Sequence, residues 1–449
     1  MTADVITNQM QTYFYELADY LSTLLKPDEV YLAWLSAEQS DFIRFNKSAV
    51  RQATSVKQIA ITVTLIAQRR RAEVRLMLSG QPDNDRAQIR LALENLRRDL
   101  SDLDEDPYLL YSTEVRSSEH HNQAALPDAA QVLDEVLIAG RGLDLVGLYA
   151  GGPIYKGFAN SLGQRNWHSA ANFNFEWCLY HAADKAVKSA YAGARWDGGQ
   201  FSQKMAFAKR QLTKVADKAL ELKPGQYRAY LAPSAMSEIL SMLCWGGFSV
   251  KSQRTKQSCL QRMIESGATL NAALTLRENT HAGITCGFQQ DGFIKADTVN
   301  LISQGKLDQP LISPRSAQEF AISTNGANVN EIPESLDMAG GTLAASDVLK
   351  TLDTGIFIGN LWYLNFSDRV ACRLTGMTRF ATFWVENGEI TAPLNVMRFD
   401  DSAFRMLGDN LQGLTQECEL IPSSASYGER STESQRLPGA LVKDFALTL

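Results

Sequence analysis

Up to Leu24 the apolar residues of this chain recur three and four positions apart, as Ile6, Met10, Tyr13, Leu17, Leu21 and Leu24; beyond Lys26-Pro27 they recur two apart. The first spacing keeps one face of a helix apolar, and the second keeps one face of a strand apolar. Neither segment can take the other's structure without turning half of its apolar side chains to water. Glu29–Leu35, Asp41–Phe45, Ala49–Ala53, Gln58–Ala67 and Ala72–Leu78 alternate or run apolar, with Asn46-Lys47 and Arg69-Arg70-Arg71 between them. The chain therefore opens with a helix and continues as an antiparallel meander. The arginine triplet suits a solvated hairpin tip better than a phosphate-binding patch.

A second amphipathic helix is expected through Ile89, Leu93, Leu96, Leu100 and Leu103, with an acidic exit at Asp102–Pro107. Ser117–Pro127 is polar and reads as a loop, and residues 128–139 offer another helix. Strands return at Leu143, broken into two by Gly151-Gly152-Pro153 as a turn. Phe173, Phe175, Trp177 and Leu179 alternate with polar neighbours as a half-buried strand, and a turn follows around Ala183-Asp184-Lys185. A long helix, with Met205, Ala208, Leu212, Val215, Ala219 and Leu222 inward, is stopped by Lys223-Pro224-Gly225.

That stop divides the chain into an N-terminal domain, 1–225, with a possible sub-boundary near 110–128, and a C-terminal domain, 226–449. The second part starts with a strand, Tyr227–Leu231, and a helix, Ala235–Trp245, with Ser234 as its N-cap. Beyond Gly267 it is mostly strand and turn, with one helix near Ser346–Asp353. The expected class is α+β: an N-terminal domain of antiparallel meander sheets with helices, and a largely β C-terminal domain with a few helices.

Composition narrows the function classes. A length of 449 residues, 45% of them apolar, is enough for roughly two or three domains with real cores. Lys and Arg number 44 against 50 Asp and Glu, so the net charge of −6 argues against direct nucleic-acid binding. No apolar run reaches the ~18 residues of a spanning helix, and MTADVITNQMQTYFYEL is not built like a secretory signal. Six cysteines without CxxC spacing read as buried thiols of a reducing compartment, so a cytoplasmic location is expected.

Short motifs name no reaction. Among the five histidines there is no HExxH, and Glu119-His120-His121 sits in a polar stretch with no third ligand. His281 and Cys286 read as structural, and Asp400-Asp401 as a solvated turn. There is no GxSxG elbow and no preferred thiol. Gly140-Arg141-Gly142 precedes a strand, whereas a dinucleotide loop must follow one.

Longer segments carry more. LVGLY and FANSLG (Leu145–Gly163), FQQDG (Phe288–Gly292), STNGA (Ser323–Ala327), the stretch TGIFIGNLWYLNFSDRVACRLTGMTRFATFWVENGEI (Thr354–Ile390) and Pro393 follow in an order that resembles the TldD/PmbA family. Its active members are zinc-dependent peptidases, its PmbA-type (TldE) members are non-metal partners, and an older name for the family is modulator of DNA gyrase. The resemblance places the family's HExxxH on the helix Ala235–Gly247, where Met242 and Gly247 take the histidine positions and Leu243 that of the glutamate. Ser423-Ser424-Ala425 falls where the third ligand, a cysteine, belongs, and Cys418 lies several residues early. Met, Gly and Leu cannot replace imidazoles and a general base. The resemblance therefore implies no catalytic residue and no metal in this chain, with zinc only in a TldD-like partner.

It also implies a cavity for extended peptide along a sheet edge, for which the candidates are Asn160, Ser161, Trp362, Tyr363, Thr378 and Arg379. The leading expectation is a PmbA/TldE-like subunit of a peptidase system, dimeric with itself or with a TldD-like subunit. Its alternatives are an autonomous homodimer that binds peptides without cleaving them, and a peptidase using other residues such as a cysteine.

Overall fold

The structure, a computed structural model, describes residues 3–122, 124, 126–182 and 185–448, with side chains from Gln9 on. Ile6 as a side chain and the turn at Ala183-Asp184 lie outside these. In chain order the first part runs α1 (Ala3–Leu24), β1 (Val30–Asn46), β2 (Ala49–Ala67), β3 (Arg70–Met77), α2 (Pro82–Asp102), β4 (Ser118–Asn122), α3 (Ala129–Gly140), β5 (Asp144–Asn160), β6 (Arg165–Ala182), β7 (Lys185–Gly193) and α4 (Gly198–Val215). Its sheet has the order β3-β2-β1-β5-β6-β4, with β7 also on β6.

The alternation decides what the helices cover. Tyr31, Ala33 and Leu35 of β1 and Ile59, Ile61, Val63 and Leu65 of β2 share one face. They bury Phe14, Leu17 and Leu21 of α1 and Ile89, Leu93 and Leu96 of α2. Each such side chain contributes roughly 1.5–3 kcal/mol on leaving water. The opposite face, Leu32, Ile66 and Phe158, is covered by Cys286 and Phe288 from the second half of the chain. A third core joins the two halves, with Phe173, Phe175, Trp177 and Leu179 of β6 packing with Phe357, Phe383 and Leu441.

The second part runs β8 (Gly225–Leu231), α5 (Pro233–Cys244), α6 (Val250–Arg254), α7 (Gln261–Glu265), β9 (Leu276–Glu278), β10 (Val299–Ser303), β11 (Lys306–Leu307), α8 (Pro314–Phe320), β12 (Ser335–Met338), α9 (Val348–Leu352), β13 (Gly355–Asp368), β14 (Arg373–Glu386), β15 (Glu389–Pro393), β16 (Arg398–Ser402), β17 (Leu411–Pro422) and β18 (Ser434–Leu447). Its sheet has the order β11-β10-β9-β12-β18-β16-β14-β13-β8, and β8 pairs with β18 as well. Strands β8, β13, β14, β16 and β18 thus close on themselves, and α5 packs in one core with them through Met236, Ile239 and Leu243. The class is α+β, as the sequence implies.

Local expectations differ in instructive places. The segments Glu29–Leu35 and Asp41–Phe45 are one strand, β1. Gly151-Gly152-Pro153 is not a turn: β5 runs through it. A Cβ on Gly152 would stand 2.1 Å from the Gln39 carbonyl oxygen, and Pro153 has no N–H, so the ladder to β1 opens here. The gap is filled from the β17–β18 loop by Arg430. Its Nη1 donates to Gly152 O at 3.1 Å and Ser40 Oγ at 3.4 Å, and its Nη2 to Asn172 O at 3.1 Å. Glu38 supplies opposite charge nearby, and the neighbouring Glu429 takes Lys156 at 3.3 Å.

Ser117–Pro127 is not all loop, because Ser118–Asn122 pairs in parallel with β6. The long helix ends at Val215, not Leu222: Leu220 leaves it to donate its N–H to Pro393 O at 2.8 Å. Helix α5 begins at Pro233 with Ala232 in the cap position, so Ser234 lies inside it and caps nothing. The segment beyond Gly267 has a further helix, α8, capped by Ser313. At the β2–β3 tip, Gln68 and Arg69 take the left-handed conformations of a tight hairpin turn. The arginine triplet there is anchored, not free: Arg70 donates to Leu103 O at 2.7 Å and Arg71 pairs with Asp291 at 2.7 Å.

Candidate functional site

A cavity of about 520 Å³ opens between β6 and β7 of the first sheet and α5, β13, β17 and β18 of the second part. It adjoins a second hollow of about 290 Å³ beneath α4. Helix α5 presents two faces. Met236, Ile239, Leu240 and Leu243 are buried against the sheet, whereas Ser234, Ser237, Glu238 and Ser241 face the cavity. Those four polar positions recur three and four apart on a helix that is otherwise apolar. The same spacing marks the polar face of any solvated helix, so the sequence alone does not single these residues out.

Two strands bring open edges to the cavity. β7 pairs with β6 on one side, and among the described residues no strand pairs with its other side. β17 pairs with β18, and its outer edge is covered at Leu414–Gln416 by Gly341 and Leu343. Beyond that cover, Glu419–Pro422 line the cavity. Residues of both strands, Lys188–Ala190 and Glu419, also line the second hollow.

The charges of the walls are mostly paired. Lys188 meets Glu176 at 3.4 Å, and Lys204 of α4 meets Glu419 at 2.9 Å. Among the described residues Glu238 has no ion pair, and desolvation by the surrounding protein pushes its carboxyl above the usual range despite the Lys188 charge. Ser241 Oγ accepts from Gln435 Nε2 at 3.0 Å. Cys244 lies at the cavity floor with its thiol pushed well up by burial, so it stays protonated and is a poor nucleophile.

Of the candidate residues, Trp362 lines the cavity beside Asn360 and Leu361. Arg379 joins it from β14, its guanidinium 4.3 Å from the Trp362 ring centre. Tyr363 stands next to Trp362 but turns outward, 78% exposed, on a left-handed backbone. Thr378 is buried and accepts from Met397 N through Oγ1 at 3.0 Å. Asn160 and Ser161 sit away from the cavity in the β5–β6 turn. Asn160 Oδ1 accepts from Leu162 N and Gln164 N at 3.1 and 3.0 Å, and Ser161 Oγ accepts from Tyr31 N at 3.3 Å.

Met242, Leu243 and Gly247, at the positions of the family's HExxxH, do not fit a zinc ion. Met242 and Leu243 are buried, and a Cβ on Gly247 would lie 2.2 Å from Leu243 O, so no imidazole can stand there. Cys418 does not line the cavity; its Sγ is turned to Met338 O at 3.6 Å. Among the described residues no three His, Cys, Asp or Glu gather as a ligand set. The histidines do cluster elsewhere. His120, on β4 and not in a loop, stacks on His168 of β6 with ring centres 5.1 Å apart, and His281 meets His120 edge-on at 6.5 Å. His168 is buried and donates Nε2–H to Ile284 O at 2.9 Å, and burial pushes its pKa down to about 4.

Among the described residues no helix is long and apolar enough to cross a membrane. Across its whole length the fold is similar to that of TldE from Thermococcus kodakarensis, with a TM-score of 0.75 at 12% identity, covering 97% of this chain and 100% of that one. Two proteins named for a modulator of DNA gyrase share it. The one from Thermotoga maritima gives 0.72 at 14% identity, covering 97% and 100%, and the one from Bacteroides thetaiotaomicron 0.69 at 14%, covering 99% of each. Among curated proteins none matches the sequence. The family model of the PmbA/TldA metallopeptidase C-terminal domain matches residues 224–448, half of the chain, and with that the chain belongs to the TldD/PmbA family.

Proposed function

We propose that this chain is the non-metal, PmbA/TldE-like subunit of a TldD-type peptidase system. It holds extended peptide in the cavity between its two halves while a zinc-bearing partner performs the cleavage. The observation that carries this reading is the meeting of two open strand edges, β7 and the end of β17, on the walls of one cavity. An edge strand offers a row of unsatisfied N–H and C=O groups, and an extended peptide satisfies them whatever its sequence. Each backbone hydrogen bond so formed contributes roughly 0.5–1.5 kcal/mol net.

Cleavage by this chain alone has no support in the cavity. No imidazole faces it, and its cysteine is held in the thiol form. Purified chain is mixed with a homologue carrying HExxxH, and both co-elution and cleavage of an unfolded reporter peptide are measured. Association with cleavage above that of the homologue alone is expected. Absence of both refutes the subunit role. N-methylation at alternate peptide bonds of the reporter tests the binding mode, since it removes the backbone donors and keeps every side chain. Unchanged affinity for the methylated peptide refutes strand addition.

A further inference from the structure

We infer that the cavity selects peptides bearing a cationic side chain, Lys or Arg, and that Glu238 is the specificity-determining residue that receives it. This rests on the cavity being a peptide site. Charges on the cavity wall are Glu176, Lys188, Glu238, Glu419 and Glu433, and Lys204 joins them from the adjoining hollow. Both lysines are taken, by Glu176 and Glu419. The carboxylates that remain are Glu433, on the β18 side, and Glu238, in the middle of the cavity face of α5. Neither side chain has a hydrogen bond or ion pair among the described residues.

Glu238 differs from a solvated surface carboxylate in its surroundings. Its side chain is exposed to the cavity and lies among the cavity's other walls, and the surrounding protein disfavours its charge. A bound peptide completes the enclosure. A neutral or acidic side chain beside Glu238 then leaves a dehydrated charge unmatched, whereas an ammonium or guanidinium compensates it. The same wall carries Trp245 and Trp362, 56% and 48% exposed. Each already holds one of the protein's own guanidiniums against its ring, Arg369 at 5.4 Å and Arg379 at 4.3 Å from the centres. Rings that stack on arginine here are suited to a ligand's arginine as well.

The test uses the full-length protein and three fluorescent, acetylated and amidated Ala/Val heptapeptides that differ only in a central Arg, Gln or Glu. Wild-type protein is expected to bind the Arg peptide roughly tenfold tighter than the Gln peptide, with the Glu peptide weaker still. Glu238→Gln is expected to bind the Arg and Gln peptides alike, with the Gln peptide unchanged from wild type. Its Tm, measured alongside, should match the wild type, because Glu238 makes no contact that folding uses. Equal affinities for all three peptides on wild type overturn the charge selection and leave the peptide site standing. So does a preference that survives Glu238→Gln unaltered. Failure of all three peptides to bind overturns the peptide site and this inference together.

Discussion

His168 makes the stability of this protein depend on pH in a direction that the structure fixes. The imidazole is 4% exposed, and its Nε2 must carry the proton because the partner, Ile284 O, only accepts. Burial depresses the folded pKa from the ordinary 6.5 to about 4, and the charges of His120, Lys295 and Lys156 act in the same direction. Between those values the unfolded chain binds a proton and the folded one does not, so stability rises with pH. The contribution is fully present above pH 6.5 and is lost as the pH falls towards 4. At 1.36 kcal/mol per unit it amounts to about 3 kcal/mol in full and about 2 kcal/mol by pH 5. Other buried groups titrate over the same range, so the measurement is a difference between two proteins. His168→Gln keeps a donor for Ile284 O and removes the titration. Urea unfolding of both at pH 7, 6 and 5 should show the variant less stable at pH 7, by roughly 1–2 kcal/mol for the lost packing, and level with or above wild type at pH 5. A gap between the two that stays constant from pH 7 to 5 would refute the reasoning.

Other consequences are equally direct. Gly152→Ala places a Cβ against the Gln39 carbonyl at a φ of 147°; a loss of about 3 kcal/mol or more is expected in chemical denaturation. Arg430→Met leaves Glu38 and four oxygen acceptors without their cation. It should cost about 3–5 kcal/mol and make the 423–433 loop the first site of limited proteolysis. Among the six free cysteines, maleimide should label Cys178 and Cys418 in the native state, since both are partly exposed, and the other four only after unfolding.

How much of this was legible depends on whether the deciding contact was local. The alternation of β1, β2 and β6 and the 3–4 spacing of α1 and α2 carry their own explanation, because each face must be buried against something. Gly151-Gly152-Pro153 misleads because its composition is that of a turn, while the reason for it is an arginine 278 residues further on. Leu220 keeps a helical spacing, yet a strand near Pro393 draws it away. Ser118–Asn122 is too polar to announce a strand and becomes one by pairing with β6. At the candidate site, Trp362 and Arg379 were within reach of the resemblance, whereas Glu238 lies on the polar face of α5. A serine–glutamate face opposite an apolar one is what any solvated helix shows, so the sequence does not distinguish a cavity wall from bulk water there.

The position of β18 governs how this molecule can come into being. Strand β18 touches β12, β17, β16 and β8, so the second sheet has no centre until β18 is in place. Arg430, arriving just before it, plugs the opening in the first sheet. Chains in which β18 has not yet docked therefore leave apolar strands exposed, the state in which chaperones have the most to do. Chains without Ser434–Leu447 should be cleared as misfolded rather than persist as half-built molecules.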